Sequence, residues 1–445
     1  MATWNGSMTP DGPDRNGRRF GGRLARPSGW PAGWSRSGWP RSRWPGSWRP
    51  GSGWQRLVRG VALVLAPLVV VALLLPLGDG GGSTAAKASA CGKAVGPFTV
   101  HGTKVLGKNG SVFISYGMSV SGLQEGNWAG LVTGDMEKIA AIADDWCTNT
   151  VRIQVNQDLL VGPHGTTWDP EYMAAIESEV NLAESYKMVV VLNDETNFSE
   201  LNVRHYQAGP TPGTLIFWKD MTKIYGNDPQ MIFDLYNEPR TSVPYMPDST
   251  LWRLWLNGGT FKHVHYTFGM AYLAYYVRYT AGAKNLFWIE GPRYSLSFEG
   301  MVRYHALIHV SNIVYSVHHA QGAHNESAWY AAFGYLVLDG IAPVVDGEFT
   351  NYEPHPNPAI DLIPGYCWYD APTAVPKFLA YLTRLGIGMN AYQLVPGWLI
   401  TSDKRLGSPT SMNPKTWSCQ PDRETQPNQS AGALILQYFQ QQNSN

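Results

Sequence analysis

The 445-residue sequence has no Cys-x-x-Cys pair and no zinc-ligand spacing, which argues against a metal site built on thiolates. Charged residues are scarce at 15%, whereas 44% of the chain is hydrophobic and 12% aromatic. Such a chain is not disordered as a whole, and it is too long for a disulfide-stapled miniprotein. It can bury a large core, and its rings suit a flat ligand. The formal net charge of zero hides an asymmetry. Residues 1–59 carry eleven Arg, no Lys and two Asp, a net charge of +9, so residues 60–445 carry −9. An acidic folded part repels phosphates, and the basic part has no apolar period to fold on, so a nucleic-acid partner is disfavoured and none is expected.

Residues 1–56 are dominated by Gly, Pro, Ser, Arg and Trp and read as a disordered tail, because Gly and Pro break both helix and strand. The segment 57–78 contains an unbroken apolar run from Val61 to Leu77, preceded by Arg56 and Arg59. At 1.5 Å per residue it spans roughly 26 Å, close to the thickness of a bilayer core. Arginines on its N-terminal side put the tail in the cytoplasm and the rest outside. The expectation is a single-pass cell-membrane anchor carrying an extracellular domain. The alternative is a cleaved signal segment and a secreted protein, for which Ala88-Ser89-Ala90 offers small residues. All four cysteines, Cys91, Cys147, Cys367 and Cys419, follow the run, as an oxidising exterior requires. Three pairings are possible and the sequence does not choose among them, Cys367 with Cys419 being one guess.

Residues 79–94 read as a flexible linker and 95–445 as one folded domain. There, short β-rich runs alternate with amphipathic segments, the pattern of a parallel sheet wrapped in helices. Eight strands are expected, at 112–117, 150–155, 188–192, 231–236, 286–289, 313–317, 342–345 and 388–394. With helices between them, this is an α/β fold of the (β/α)8 TIM-barrel class. Such a barrel builds its site from residues just beyond the C-terminal strand ends. Two glutamates stand there: the fourth strand runs into Asn237-Glu238-Pro239 and the seventh into Gly347-Glu348-Phe349. Paired carboxyl groups are what glycosidic-bond cleavage needs, one protonating the departing oxygen and one acting on the anomeric carbon from the opposite face.

Leu235-Tyr236-Asn237-Glu238-Pro239 and Gly347-Glu348-Phe349 resemble the acid/base and nucleophile motifs of glycoside hydrolase family 5, the cellulase-like family. Val151-Arg152-Ile153 resembles its second-strand arginine, and Tyr315-Ser316-Val317-His318 its sixth-strand histidine. The similarity extends over about residues 95–400. It implies a retaining β-glycosidase acting on β-linked glucan or a related polysaccharide, with Glu238 as general acid/base, Glu348 as nucleophile, and no metal or organic cofactor. Arg152, Asn237, His318 and Tyr315 are its expected sugar-binding frame, with Trp128 and Trp398 as stacking platforms. A mannan-directed or exo-acting relative, and a non-hydrolysing carbohydrate-binding protein on the same scaffold, are the alternatives. The sequence departs from the family in three places. Leu192-Asn193-Asp194-Glu195 lacks the usual third-strand histidine. Ala320 stands where a tyrosine is usual. Near the last strand, Trp398 comes late for the usual tryptophan, and Tyr392 or Gln393 competes for its place. Glu290, after the fifth strand, is a rival acid without an Asn partner.

Overall fold

The computed structural model describes residues 91–162, 165–195, 209–239, 246–261, 264–318, 325–349, 371–395, 399–400, 406–407 and 431–444. The tail, the apolar run, most of the linker, Ala320, Trp398, Cys367 and Cys419 lie outside them. Among the described residues no helix is long and apolar enough to cross a membrane.

Three short antiparallel strands, β1 (Thr99–His101), β2 (Lys104–Leu106) and β3 (Val112–Phe113), precede a closed barrel of eight parallel strands. These are β4 (Tyr116–Val120), β5 (Thr150–Val155), β6 (Val189–Asp194), β7 (Met231–Asp234), β10 (Leu286–Glu290), β11 (Ile313–Val317), β12 (Val344–Phe349) and β13 (Gly388–Ala391), with β13 closing onto β4. An antiparallel hairpin, β8 (Gly258–Phe261) with β9 (Val264–Phe268), sits between the fourth and fifth barrel strands. The expected strand at 112–117 is split. Val112 and Phe113 belong to the small sheet, and the barrel strand starts only at Tyr116.

Alternation along each strand decides what faces inward. On β5, Val151, Ile153 and Val155 join the outer core under the helices, whereas Arg152 and Gln154 face the interior. The interior floor is apolar: Val189, Val191, Ile232, Leu286, Trp288, Val314 and Val345 pack with Phe98 and Phe113, which plug the barrel from below. Above that floor the interior turns polar.

The helices carry legible start signals. In α3 (Pro170–Ser185), Asp169 accepts the backbone N–H groups of Glu171 and Tyr172 at 2.9 and 3.0 Å, with Pro170 in the first turn. In α4 (Pro212–Tyr225), Thr211 and Thr214 form a reciprocal capping box. Helix α1 (Val132–Asp144) follows β4, and α9 (Ala371–Leu385) lies between β12 and β13. The final helix, Ala431–Asn443, packs against α9 and sets Tyr438 and Phe439 edge-on to Tyr116. Ordered contacts begin before the expected boundary at residue 95. Cys91 is bonded to Cys147, and the Gly92 N–H donates to Asn443 O at 2.7 Å, so residues 91–94 belong to the domain rather than to a linker.

Candidate active site

The polar layer lies at the C-terminal strand ends and is organised by Arg152, which is fully buried. Its Nε donates to Asp234 Oδ2 at 2.8 Å, Nη1 donates to Glu348 Oε1, and Nη2 donates to Asn237 Oδ1 at 2.6 Å and to Glu290 Oε1 at 2.9 Å. Burial alone would pull the guanidinium down, but Asp234, Glu348 and Glu290 together hold it above its ordinary range, so it stays charged. Gln154, two residues further along the same face of β5, donates to Glu348 Oε1 at 2.7 Å and to Glu195 Oε2 at 3.3 Å.

Glu348 reaches the mouth because β12 is irregular. Val345 packs on the interior floor, Gly347 faces inward and Phe349 stacks on Phe378 outside, so strict alternation would aim Glu348 at the helices. The register shift between Asp346 and Phe349 turns it inward instead. Gly347 leaves room that a side chain would take up, since a Cβ would lie 2.2 Å from Ser316 Oγ. Glu238 is presented differently, by a backbone with φ 42°, in the left-handed region that residues with a Cβ seldom adopt. The preceding Asn237 N–H donates to Asp194 O at 2.9 Å.

His318 links the two glutamates. Its Nδ1 lies 3.1 Å from Glu238 Oε1 and 3.5 Å from Glu348 Oε2, and its Nε2 is 3.2 Å from Glu290 Oε1. Burial disfavours its charged form, but Glu290 and Glu348 outweigh that and raise it well above an ordinary histidine. One ligand-type atom each from Glu238, His318 and Glu348 lies within 4.8 Å of the others. That spacing would also accept a cation. The positive charge facing Glu348, however, is already supplied by Arg152 and His318, so we assign no metal to it.

Exposure separates the groups that can touch a ligand from those that support them. Glu238 and Glu348 keep 21% and 13% of their side-chain surface accessible, whereas Arg152, Asp234 and Glu290 keep none.

The structure thus brings Glu238, Glu348, Arg152, Asn237 and His318 together. It does not bring Tyr315 to the mouth. That side chain faces outward from β11, packing edge-on against Phe298 at 5.2 Å, and its hydroxyl accepts the Ile308 N–H at 3.0 Å. The reason is strand alternation: Val314 on one side of it and Ser316 on the other face the interior. Trp128 is half-buried at the start of a short 3-10 helix, Trp128–Gly130, beyond β4, with its ring edge-on to Tyr172 at 5.1 Å. Trp398 lies outside the described residues.

Sequence reading missed Gln154 and Glu195. The first was signalled by its spacing of two from Arg152. Glu195 stands just past β6, where the usual histidine was sought. It is buried, and burial first, then Glu348 and Glu238, raise its carboxyl well above the ordinary range. Tyr392, one residue past β13, is half-buried. Burial together with Glu348, Glu195 and Glu238 raises its hydroxyl, which stays protonated.

Comparison with known proteins agrees with this geometry. The family model described as cellulase (glycosyl hydrolase family 5) matches residues 106–361. Endoglucanase C of Evansella cellulosilytica is 28% identical over 141 residues, covering 30% of this chain and 16% of the relative. Cellulase CelDZ1 of a Thermoanaerobacterium species is 29% identical over 141 residues, covering 32% of this chain and 34% of the relative. The alignments therefore span about a third or less of those relatives. Among solved structures, the β-glucanase SdGluc5_26A of Saccharophagus degradans, in complex with cellotetraose, superposes with a TM-score of 0.53 at 17% identity over 82% of this chain and 98% of the other. A family 5 cellulase from an Icelandic hot spring isolate gives 0.52 at 18% identity over 79% and 94%. At that identity the superpositions speak for the fold. The family match covers more than half of the sequence and includes both glutamate motifs and Arg152, so this chain belongs to glycosyl hydrolase family 5.

Proposed function

We propose that the protein is a retaining β-glycosidase that hydrolyses β-linked glucan by double displacement. The observation that carries this reading is the approach of one oxygen of Glu238 and one of Glu348 to within 4.8 Å. Retaining enzymes hold their carboxyl groups roughly 5–5.5 Å apart, whereas inverting ones leave about 6.5–9.5 Å for a water. Glu348, paired with buried Arg152 and reached by Gln154, is the nucleophile. It attacks the anomeric carbon while Glu238 donates its proton to the departing glycosidic oxygen, leaving a glycosyl ester on Glu348. In the second step Glu238 takes a proton from water, the water oxygen attacks the same carbon, and the ester bond breaks to restore Glu348.

A β-glucan substrate is supported by the cellulase and endoglucanase names of the relatives. The exterior location expected from the sequence is supported by the Cys91–Cys147 disulfide, since such bonds persist in oxidising compartments. The anchored form rests on the Arg-flanked run from Val61 to Leu77. The direct test is to incubate the purified exterior domain, Glu238→Ala and Glu348→Ala with β-glucan and mannan panels. Glucan hydrolysis abolished in both variants supports the reading. Preference for mannan moves the substrate, and binding without turnover supports a carbohydrate-binding protein instead.

A further inference from the structure

Glu290 touches both the cationic frame and the backbone of Glu238. It ends β10 and is fully buried, so no polysaccharide can reach it. Three groups converge on its two oxygens. Oε2 accepts the backbone N–H of Glu238 at 2.5 Å, Oε1 accepts Arg152 Nη2 at 2.9 Å, and the same oxygen stands 3.2 Å from His318 Nε2. The far side of that imidazole contacts Glu238 itself. Glu290 therefore holds Glu238 directly through its main chain and faces it a second time across the His318 ion pair.

The main-chain contact matters because of the conformation it fixes. A residue with a Cβ held in the left-handed region is strained and persists only where its surroundings over-determine it. At Glu238, with φ 42°, the buried carboxyl oxygen of Glu290 supplies that constraint. A general acid has to meet the departing oxygen at hydrogen-bond distance, and a displacement of about 1 Å can cost roughly a hundred-fold in rate. We propose that Glu290 is a positioning residue for the acid step: it locks the backbone and the imidazole that together aim the Glu238 carboxyl. This rests on Glu238 being the acid/base. The groups facing Glu290 are Arg152 on β5, Asp234 on β7, Glu238 beyond β7 and His318 beyond β11.

The acid step has its own kinetic signature. A sugar oxygen leaves only when protonated, whereas a dinitrophenolate leaves without help, so misplacing the acid slows the first substrate and spares the second. The test compares kcat/KM for β-glucan and for dinitrophenyl β-cellobioside in wild type, Glu290→Ala, Glu290→Gln and Glu238→Ala, with circular dichroism and Tm to establish folding. Glu290→Ala is expected to lose about a hundred-fold on glucan and less than about ten-fold on the aryl glycoside. Glu290→Gln keeps an oxygen for the Glu238 N–H and recovers part of that loss. Equal losses on both substrates in folded variants, or no loss on either, overturn the proposal. If Glu238→Ala itself shows no such split, the acid/base assignment fails. If Glu238→Ala shows it and folded Glu290 variants do not, only the positioning role fails.

Discussion

Arg152 Nη1 donates to Glu348 Oε1 from a side chain with no solvent exposure, so the carboxylate proposed to attack the sugar faces a cation that salt screens far less than a surface charge. The same guanidinium holds Asp234, Asn237 and Glu290. One side chain thereby connects the ends of strands β5, β7, β10 and β12.

Replacing that arginine therefore separates charge from shape. Arg152→Lys keeps a positive charge but cannot reach four acceptors with a planar fork. It is expected to fold and to lose about a hundred-fold or more in kcat on β-glucan. Arg152→Ala leaves buried Asp234 and Glu290 without their cation and is expected to lose about 3–5 kcal/mol of stability, read by denaturant unfolding. A lysine variant with wild-type kcat would contradict this role.

Gly347 is expected to tolerate no side chain. In Gly347→Ala the new methyl group meets Ser316 Oγ at 2.2 Å, with His318 Nε2 at 3.2 Å, so the β12 irregularity has to shift and carries Glu348 with it. Overpacking of this kind costs about 1–3 kcal/mol. The more telling effect is on kcat, expected to drop at least about ten-fold from the displaced nucleophile. Unchanged kcat with unchanged stability would show that the backbone there has room.

Glu179 on α3 is fully buried, and among the described residues neither of its oxygens has a hydrogen-bond partner. Burial, then Asp135, raise its carboxyl well above the ordinary range, with Lys138 acting in the opposite sense. A carboxyl raised on folding binds more protons in the native than in the unfolded chain. Its contribution to stability is therefore present below the unfolded value of about 4.3 and declines as pH rises towards the folded value. Glu179→Gln removes that decline. The difference in stability between variant and wild type is expected to shift in favour of the variant between pH 4 and pH 8, measured by thermal unfolding across that range. A difference independent of pH would contradict it.

The Cys91–Cys147 bond joins the start of the domain to the turn after α1, across a sequence separation of 56. Cys91→Ser with Cys147→Ser, or reduction, is expected to lower stability by about 2–5 kcal/mol. Hydrolysis below the melting transition should persist, because neither cysteine takes part in the polar layer. Loss of activity in a still-folded reduced protein would show that the bond acts on the site.

Much of this arrangement is legible in the sequence because a strand repeats every two residues. Val151-Arg152-Ile153-Gln154 shows an apolar face and a polar face before any fold is known. The same rule read with care separates Tyr315 from Ser316 and His318. Proximity to the motif obscured it. Glu195 was hidden for another reason: the missing histidine reads as a loss, whereas the structure places a buried acid beside Gln154 just past the same strand. The β12 register shift and the left-handed Glu238 have no sequence signature, since both depend on what neighbouring strands place beside them. The helix α5 (Asp248–Asn257) and the hairpin after it also escaped. Leu251, Trp252, Leu254 and Trp255 are buried, but the segment is short and ends at Gly258-Gly259.

The stereochemistry of the first product tests the pairing of Glu238 with Glu348 most directly. Proton NMR of β-glucan hydrolysis in the first minutes, before mutarotation, is expected to show the new reducing end in the β configuration, with no product from Glu348→Ala. A reducing end released first as the α anomer, or undiminished hydrolysis by Glu348→Ala, would contradict the account.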